Sequence, residues 1–231
     1  RFLTLYFSEV DHAGHEHGPD APEVAEAVQR VDGYLRLLVD GLRARGLLDH
    51  VNLLVVSDHG MTATSRERVI FLDDYIALDD VQVVNWSPVL MLTPRPGRFE
   101  AVLQALQQAH PHLHVYRKAE LPAHLHFGTH PRIPPIVGLA DEGWTITTRT
   151  RFEQQPDRFP MGMHGYDPTL PSMHGILIAH GPAFARGRVV PPVENIHLYA
   201  LMCRLLDLTP APNDGSPEAT ELLLALETST P

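Results

Sequence analysis

The sequence predicts an α/β fold with a mostly parallel central sheet sandwiched by helices. Three observations carry that expectation. Residues 51–57, Val51-Asn52-Leu53-Leu54-Val55-Val56-Ser57, form a run without polar alternation, as in strands covered on both faces. Residues 2–10 are also apolar and β-prone, and read as a second buried strand. Between the two, Val24, Val28, Val31, Leu35, Leu38 and Leu42 recur at steps of four and three, one face of a long helix. Strand, helix, strand is a βαβ unit, and its crossover should be right-handed.

The boundaries of that helix have their own signals. Asp20 and Glu23 stand at the spacing of a capping box, and Gly46 suits the helix end. Further on, residues 89–92 read as a strand, 98–109 as a helix and 113–116 as a short strand. Residues 144–148 alternate as an exposed strand would. The stretch 121–160 is rich in Pro and His, so residues 97–160 are expected to form an irregular excursion over the core. Residues 175–179 return to a core strand. Residues 195–206 form a closing helix with Ile196, Tyr199, Leu201, Met202, Leu205 and Leu206 inward. The chain shows no internal repeat and no low-complexity tract.

Composition narrows the functional classes. The 231 residues are 44% hydrophobic and 20% charged, ordinary for a globular domain. No apolar run approaches the roughly 18 residues of a membrane-spanning helix. The formal net charge of -10 argues against a nucleic-acid polymer as partner. It leaves room for a small phosphorylated substrate, because bound divalent metals reverse the field inside a pocket. The single cysteine, Cys203, allows no internal disulfide and reads as a buried thiol. Residue 1 already lies at the start of a core-like run without an initiator Met, so the chain is expected to begin partway through a larger protein.

Three clusters carry potential chemistry: Asp11-His12-Ala13-Gly14-His15-Glu16-His17-Gly18-Pro19, Ser57-Asp58-His59-Gly60-Met61, and Met163-His164-Gly165-Tyr166-Asp167. Carboxylate oxygen and imidazole nitrogen are natural zinc ligands in hydrolases. Asp11 and Asp58 fall just past predicted strand ends, where functional loops of α/β sheets lie. With fifteen histidines in the chain, the pattern by itself leaves both a metal site and hydrogen-bonded turns open.

The motifs in series are more specific. Tyr6-Phe7-Ser8-Glu9-Val10-Asp11 with Gly14-His15 and Gly18-Pro19 resembles the strand and metal loop of the nucleotide pyrophosphatase/phosphodiesterase family. Val55-Val56-Ser57-Asp58-His59-Gly60-Met61 is similar to the family's second metal loop. His164-Gly165-Tyr166-Asp167, then Ser172-Met173 and Ala179-His180-Gly181-Pro182-Ala183-Phe184, resembles its third. Glu194-Asn195, Leu201-Met202-Cys203 and the run from Leu208 to Asn213 resemble its closing helix and tail. The matches run in family order over nearly the whole chain and are weakest from about residue 78 to 155.

The resemblance, to the C-terminal part of a bacterial member, implies an alkaline-phosphatase-like fold with two zinc ions. Asp11, His15 and His164 then match the ligands of one zinc, and Asp58 and His59 two ligands of the other. The family's remaining Asp ligand and its nucleophilic Thr have no counterpart here; Thr129 and Thr209 lack the strand-then-helix context. The implied reaction is hydrolysis of nucleotide phosphodiester and pyrophosphate bonds through a covalent phospho-Thr intermediate, releasing a nucleoside 5'-monophosphate. The implied location is periplasmic or secreted. The implied partners are a small nucleotide or phosphodiester substrate and the remainder of the same protein.

Other residues keep two readings. Tyr6 is either a stacking surface for a nucleoside or a core side chain. His12 and His17 flank ligand candidates and are expected to point elsewhere. His180 is expected to pack or hydrogen-bond under the sheet end, His174 and His197 to be structural, and Asp73, Asp74, Asp79 and Asp80 to be solvated turn charges. Rival functions are a related phosphomonoesterase, phosphonate hydrolase or lysophospholipid hydrolase, and a non-catalytic zinc-binding module that recognises phosphate. No Arg or Lys adjoins the three clusters, which favours a diester over a monoester.

Overall fold

The computed structural model describes residues 1–154 and 158–225. Its contacts group into two compact units. The first comprises Arg1–Phe7, Arg30–Asp58 and Gly175–Pro231; the second comprises Ser8–Gln29 and His59–His174.

In the second unit, four strands make an antiparallel sheet: β4 (Val81–Asn85), β5 (Val89–Pro94), β6 (Leu113–Arg117) and β7 (Ile136–Ala140), in the order β4-β5-β7-β6. Leu90 and Leu92 stand two apart on β5 and share a face, as do Leu113 and Val115 on β6. Helix α3 (Phe99–Gln107) lays Val102, Leu103 and Leu106 into the same core, the i, i+1, i+4 stripe of a helix that buries one side. Ile70 of β3 (Val69–Phe71) and Ile146 of β8 (Thr145–Thr147) extend that core, and these two strands pair in parallel. A fully buried Leu or Ile here contributes about 1.5–3 kcal/mol of transfer free energy.

The first unit is built differently. β1 (Leu53–Val56) pairs antiparallel with β10 (Leu177–His180), Leu54 opposite Ala179. Its buried side chains include Phe184, Ala200, Leu201, Cys203 and Thr220, several of them on the terminal helix α5 (Leu198–Leu205). Many of its apolar residues are exposed, among them Phe2, Leu3, Leu5, Leu37, Val56, Ile176 and Ile178.

Two short helical and strand elements complete the inventory needed below. α1 spans Glu9–His17, and β2 (Thr62–Ala63) pairs antiparallel with β9 (Gly162–Met163). The long helix α2 runs Pro22–Ala44 and closes at Gly46, whose φ of 65° and bond from Leu47 N to Leu42 O mark a left-handed helix end. No helix among the described residues is long and apolar enough to cross a membrane.

Several expectations need correction. Residues 2–10 do not form a strand: no strand is assigned there, and Glu9 and Val10 open α1 instead. A strand exists only with a ladder partner, whereas Glu9 and Asp11 favour a helix start through the helix dipole. The βαβ unit is therefore not formed by these residues. Among the described pairings β3 with β8 is parallel and the others are antiparallel. Residues 97–160 are not an irregular excursion, since they carry α3, β6, β7, β8 and α4 (Arg149–Gln154); positions 155–157 lie outside the described residues. The Pro and His content concealed β7, whose Ile136 and Val137 are fully buried between β5 and β6. Within 144–148 the strand is Thr145–Thr147, largely buried rather than exposed, with Ile146 in the core and β3 as its parallel partner. On α5, Tyr199 is exposed while Ala200 and Cys203 turn inward.

Candidate metal centre

The second unit brings three of the sequence clusters to one point. Asp11 and His15 are i and i+4 on α1, so they share a helix face. His164 follows β9, and His59 precedes β2, the strand paired with β9. Three imidazole Nε2 atoms surround one carboxylate oxygen, Asp11 Oδ1: His15 at 3.3 Å, His164 at 3.6 Å and His59 at 3.9 Å. Asp11 Oδ1 is buried and has no hydrogen-bond partner.

Backbone carbonyls set the direction of two of these rings. His15 Nδ1 donates to Gly162 O at 2.8 Å, and His59 Nδ1 lies 2.8 Å from Gly60 O. A carbonyl oxygen only accepts, so Nδ1 carries the proton and Nε2 presents its lone pair toward Asp11. That arrangement is the outer support usual for a metal-ligating histidine. The His59 and His164 rings stack with centroids 3.4 Å apart and planes 9° apart.

The residues fit a metal ion. A buried carboxylate oxygen without a hydrogen-bond partner is costly. A cation beside Asp11 Oδ1 removes that penalty. Zinc bonds of about 2.0 Å in a tetrahedron put neighbouring ligand atoms about 3.3 Å apart, close to the separations seen. Asp11, His15 and His164 each offer a ligand atom within 4.8 Å of the others, the one such group among the described residues.

The loop after His164 is pinned at two points. Tyr166 is buried and its hydroxyl donates to Trp144 O at 3.0 Å; burial, with Glu142 adding to it, pushes the phenol well above its ordinary range. Burial works to raise the Asp167 carboxyl, but bonds from the Thr169 hydroxyl and amide and from His124 outweigh it and hold it below the usual carboxylate value. Gly165, between His164 and Tyr166, adopts φ 92°, open to a residue without Cβ.

Asp58 and Tyr6 are grouped with the first unit, and Asp58 directly precedes His59 in the chain. Asp58 follows β1, and Tyr6 is 82% exposed, so it is not a core side chain. His12 and His17 pair with Glu16 at 3.5 and 3.7 Å. His180 is exposed on β10 rather than packed beneath it, since that strand shows alternate side chains to solvent. His197 accepts from Ser216 N at 3.0 Å, a structural role. The paired aspartates are not merely solvated: Asp74 holds Arg149 through two bonds of 2.6 Å, and Asp80 pairs with Arg98. The sequence names Gly14, Gly60 and Met61 within its motifs but gives them no role, and nothing in it singles out Gly162, against which Gly14 and Met61 pack.

Comparison with known proteins bears on what such a cluster serves. The family model described as Type I phosphodiesterase / nucleotide pyrophosphatase matches residues 1–167. The chain is 40% identical over 212 residues to human ectonucleotide pyrophosphatase/phosphodiesterase family member 5, covering 92% of this chain and 43% of that protein. It is 38% identical over 224 residues to human bis(5'-adenosyl)-triphosphatase, covering 96% and 48%. The structure matches that of murine ectonucleotide pyrophosphatase/phosphodiesterase 5 with TM-score 0.89 and 42% identity, over 96% of this chain and 58% of that one. An inactive form of the same murine protein in complex with AMP matches equally, TM-score 0.89 at 41% identity. The fold is thus the alkaline-phosphatase-like α/β fold of these neighbours. The chain spans about half the length of the curated relatives it matches.

Proposed function

Since the chain belongs to the type I phosphodiesterase/nucleotide pyrophosphatase family, we propose that it supplies the metal-binding portion of a two-zinc hydrolase that cleaves nucleotide phosphodiester and pyrophosphate bonds. The observation that carries this reading is Asp11 Oδ1, buried, without a hydrogen bond, and facing three imidazole nitrogens at 3.3–3.9 Å.

Asp11, His15 and His164 would hold one zinc. Asp58 and His59 would give two ligands to the second. When bound, zinc supplies Lewis-acid stabilisation of charge on phosphoryl oxygens and lowers the pKa of water. The chain's own part is to hold its ligand atoms in place beforehand. The carbonyls of Gly162 and Gly60 keep the His15 and His59 rings turned inward, and the Tyr166 and Asp167 anchors keep the His164 loop in one position. Such preorganisation means little reorganisation is needed when phosphate arrives.

A Thr nucleophile forming a phospho-Thr intermediate, and the last ligand of the second zinc, would come from outside these 231 residues. The coverage of the relatives supports that reading, as does the exposed apolar face of the first unit, which suits packing against further chain. Relatives named for pyrophosphatase/phosphodiesterase and bis(5'-adenosyl)-triphosphatase activity, and a neighbour solved with AMP, support a nucleotide substrate and a nucleoside 5'-monophosphate product. Tyr6 would stack on the nucleoside. The relatives' ecto- names support a periplasmic or secreted location.

The test compares the complete protein with its His164→Ala variant. Zinc content and hydrolysis of a p-nitrophenyl nucleotide diester should fall together. Full zinc occupancy at normal rate in the variant would remove His164 from the site. A clear preference for a p-nitrophenyl monoester over the diester would overturn the substrate class.

A further inference from the structure

We infer that Gly14 and Gly162 are positioning residues: the space left by their missing side chains lets α1 lie against β9, so that Asp11 and His15 meet His164. The inference rests on the metal-binding reading above and adds to it the residues that set the cluster's size.

α1 and β9 are joined closely at two points. Met161 N donates to His15 O at 2.8 Å, and His15 Nδ1 donates to Gly162 O at 2.8 Å. Asp11 and His15 ride on one of these elements; His164 directly follows the other. The separation of α1 from β9 is therefore also the separation of the ligand candidates.

Side chains at the two glycines would change that separation. A methyl group on Gly162 would overlap the backbone oxygen of Gly14 and lie 2.7 Å from Met61 Sδ. A methyl group on Gly14 would overlap Met61 Sδ and lie 3.0 Å from its Cε. Non-bonded carbon atoms rest about 3.5–4.0 Å apart, so each case forces a shift. Neither glycine has a left-handed backbone, so conformational freedom does not explain them. Gly14 stands inside α1, where glycine costs about 1 kcal/mol relative to alanine. Close approach of helix and strand is the remaining reason for glycine at 162, and room for the Met61 thioether, which also lies against Gly162, is the reason at 14.

The two glycines differ in what they would strike, which makes the inference testable. Gly14 faces a flexible thioether; Gly162 faces backbone. The full chain, stripped of metal, is titrated calorimetrically with zinc and separately with the larger cadmium ion. Gly162→Ala and Gly14→Ala should each weaken zinc binding by about 10–100-fold, the range found for partners that orient metal ligands. Cadmium should be weakened less, because a cluster pushed apart favours the larger ion. Adding Met61→Ala to Gly14→Ala should restore the zinc affinity of Met61→Ala alone. Met61→Ala should not rescue Gly162→Ala. Circular dichroism checks that each variant is folded, and if Gly162→Ala does not fold, the Gly14/Met61 pair decides. Parental zinc affinity in Gly14→Ala or Gly162→Ala would overturn the inference. So would an equal loss of both metals without rescue, the mark of general destabilisation. A parent chain that binds no zinc would instead sink the metal reading itself, and this inference with it.

Discussion

The two units of the molecule spend similar apolar sequence very differently. In the second, Leu90, Leu92, Leu106, Ile136 and Ile146 are at most 1% exposed and form one continuous cluster under a four-stranded sheet and a helix. In the first, Val55 and Val56 lie on a two-stranded sheet, and Val56, Ile176 and Ile178 are each at least 50% exposed. Two strands alone are marginal in water; a third or fourth strand, or a helix, must cover the apolar face. The difference teaches that β-prone, apolar sequence marks a capacity for burial. Burial itself depends on the number of strands available to pair.

The comparison can be broken or sharpened by experiment, starting from the largest effect. Ile136→Ala removes a fully buried side chain from the centre of the second unit's sheet and should cost about 2–5 kcal/mol in urea unfolding. A cost below about 1 kcal/mol would mean that this core does not hold the fold together. Tyr166→Phe should cost about 1 kcal/mol at neutral pH, through the lost bond to Trp144 O. The same variant carries a pH signature. The folded phenol is raised above its unfolded value of about 10, so its neutral form favours folding below that value, and this contribution is lost as pH rises beyond it. Tyr166→Phe should therefore flatten the fall in stability above about pH 10, and an unchanged alkaline slope would contradict the burial argument. Smallest of all, Val56→Thr and Ile178→Thr should each change stability by less than about 0.5 kcal/mol while lowering the binding of a hydrophobic dye. A loss of several kcal/mol at either position would show that the first unit's exposed face is covered in solution.

Much of the candidate site could be read along the chain. Asp11 and His15 announce themselves by residue type and by a spacing of four, which any helix turns into a shared face. His59 and His164 were named from motif order, and the structure brings both beside Asp11. Asp58 is grouped with the other unit although it is next in sequence to His59. What could not be read was the support beneath. The carbonyl of Gly162 that turns His15 lies 147 positions away, and no local pattern announces that pairing. The fold was legible in part. α2, α3, β5, β6, β10 and the closing helix fell close to where periodicity put them. The first strand failed because residues 2–8 have the composition of a strand and no ladder partner in the described chain. β7 was missed because Pro131, Pro134 and Pro135 just before it looked like the start of more loop.

The sequence by itself determined the chemistry on offer: carboxylate and imidazole groups in three ordered motifs, a helix that pairs two of them, and the apolar stripes of the main helices. These are properties of neighbouring residues, and the 3.6-residue helical repeat carries them without reference to the rest of the chain. Only the tertiary structure decided which strands pair, in which direction, and how near α1 comes to β9. Those outcomes rest on contacts between residues far apart in the chain, where the presence of a partner strand or the absence of one Cβ atom sets the result.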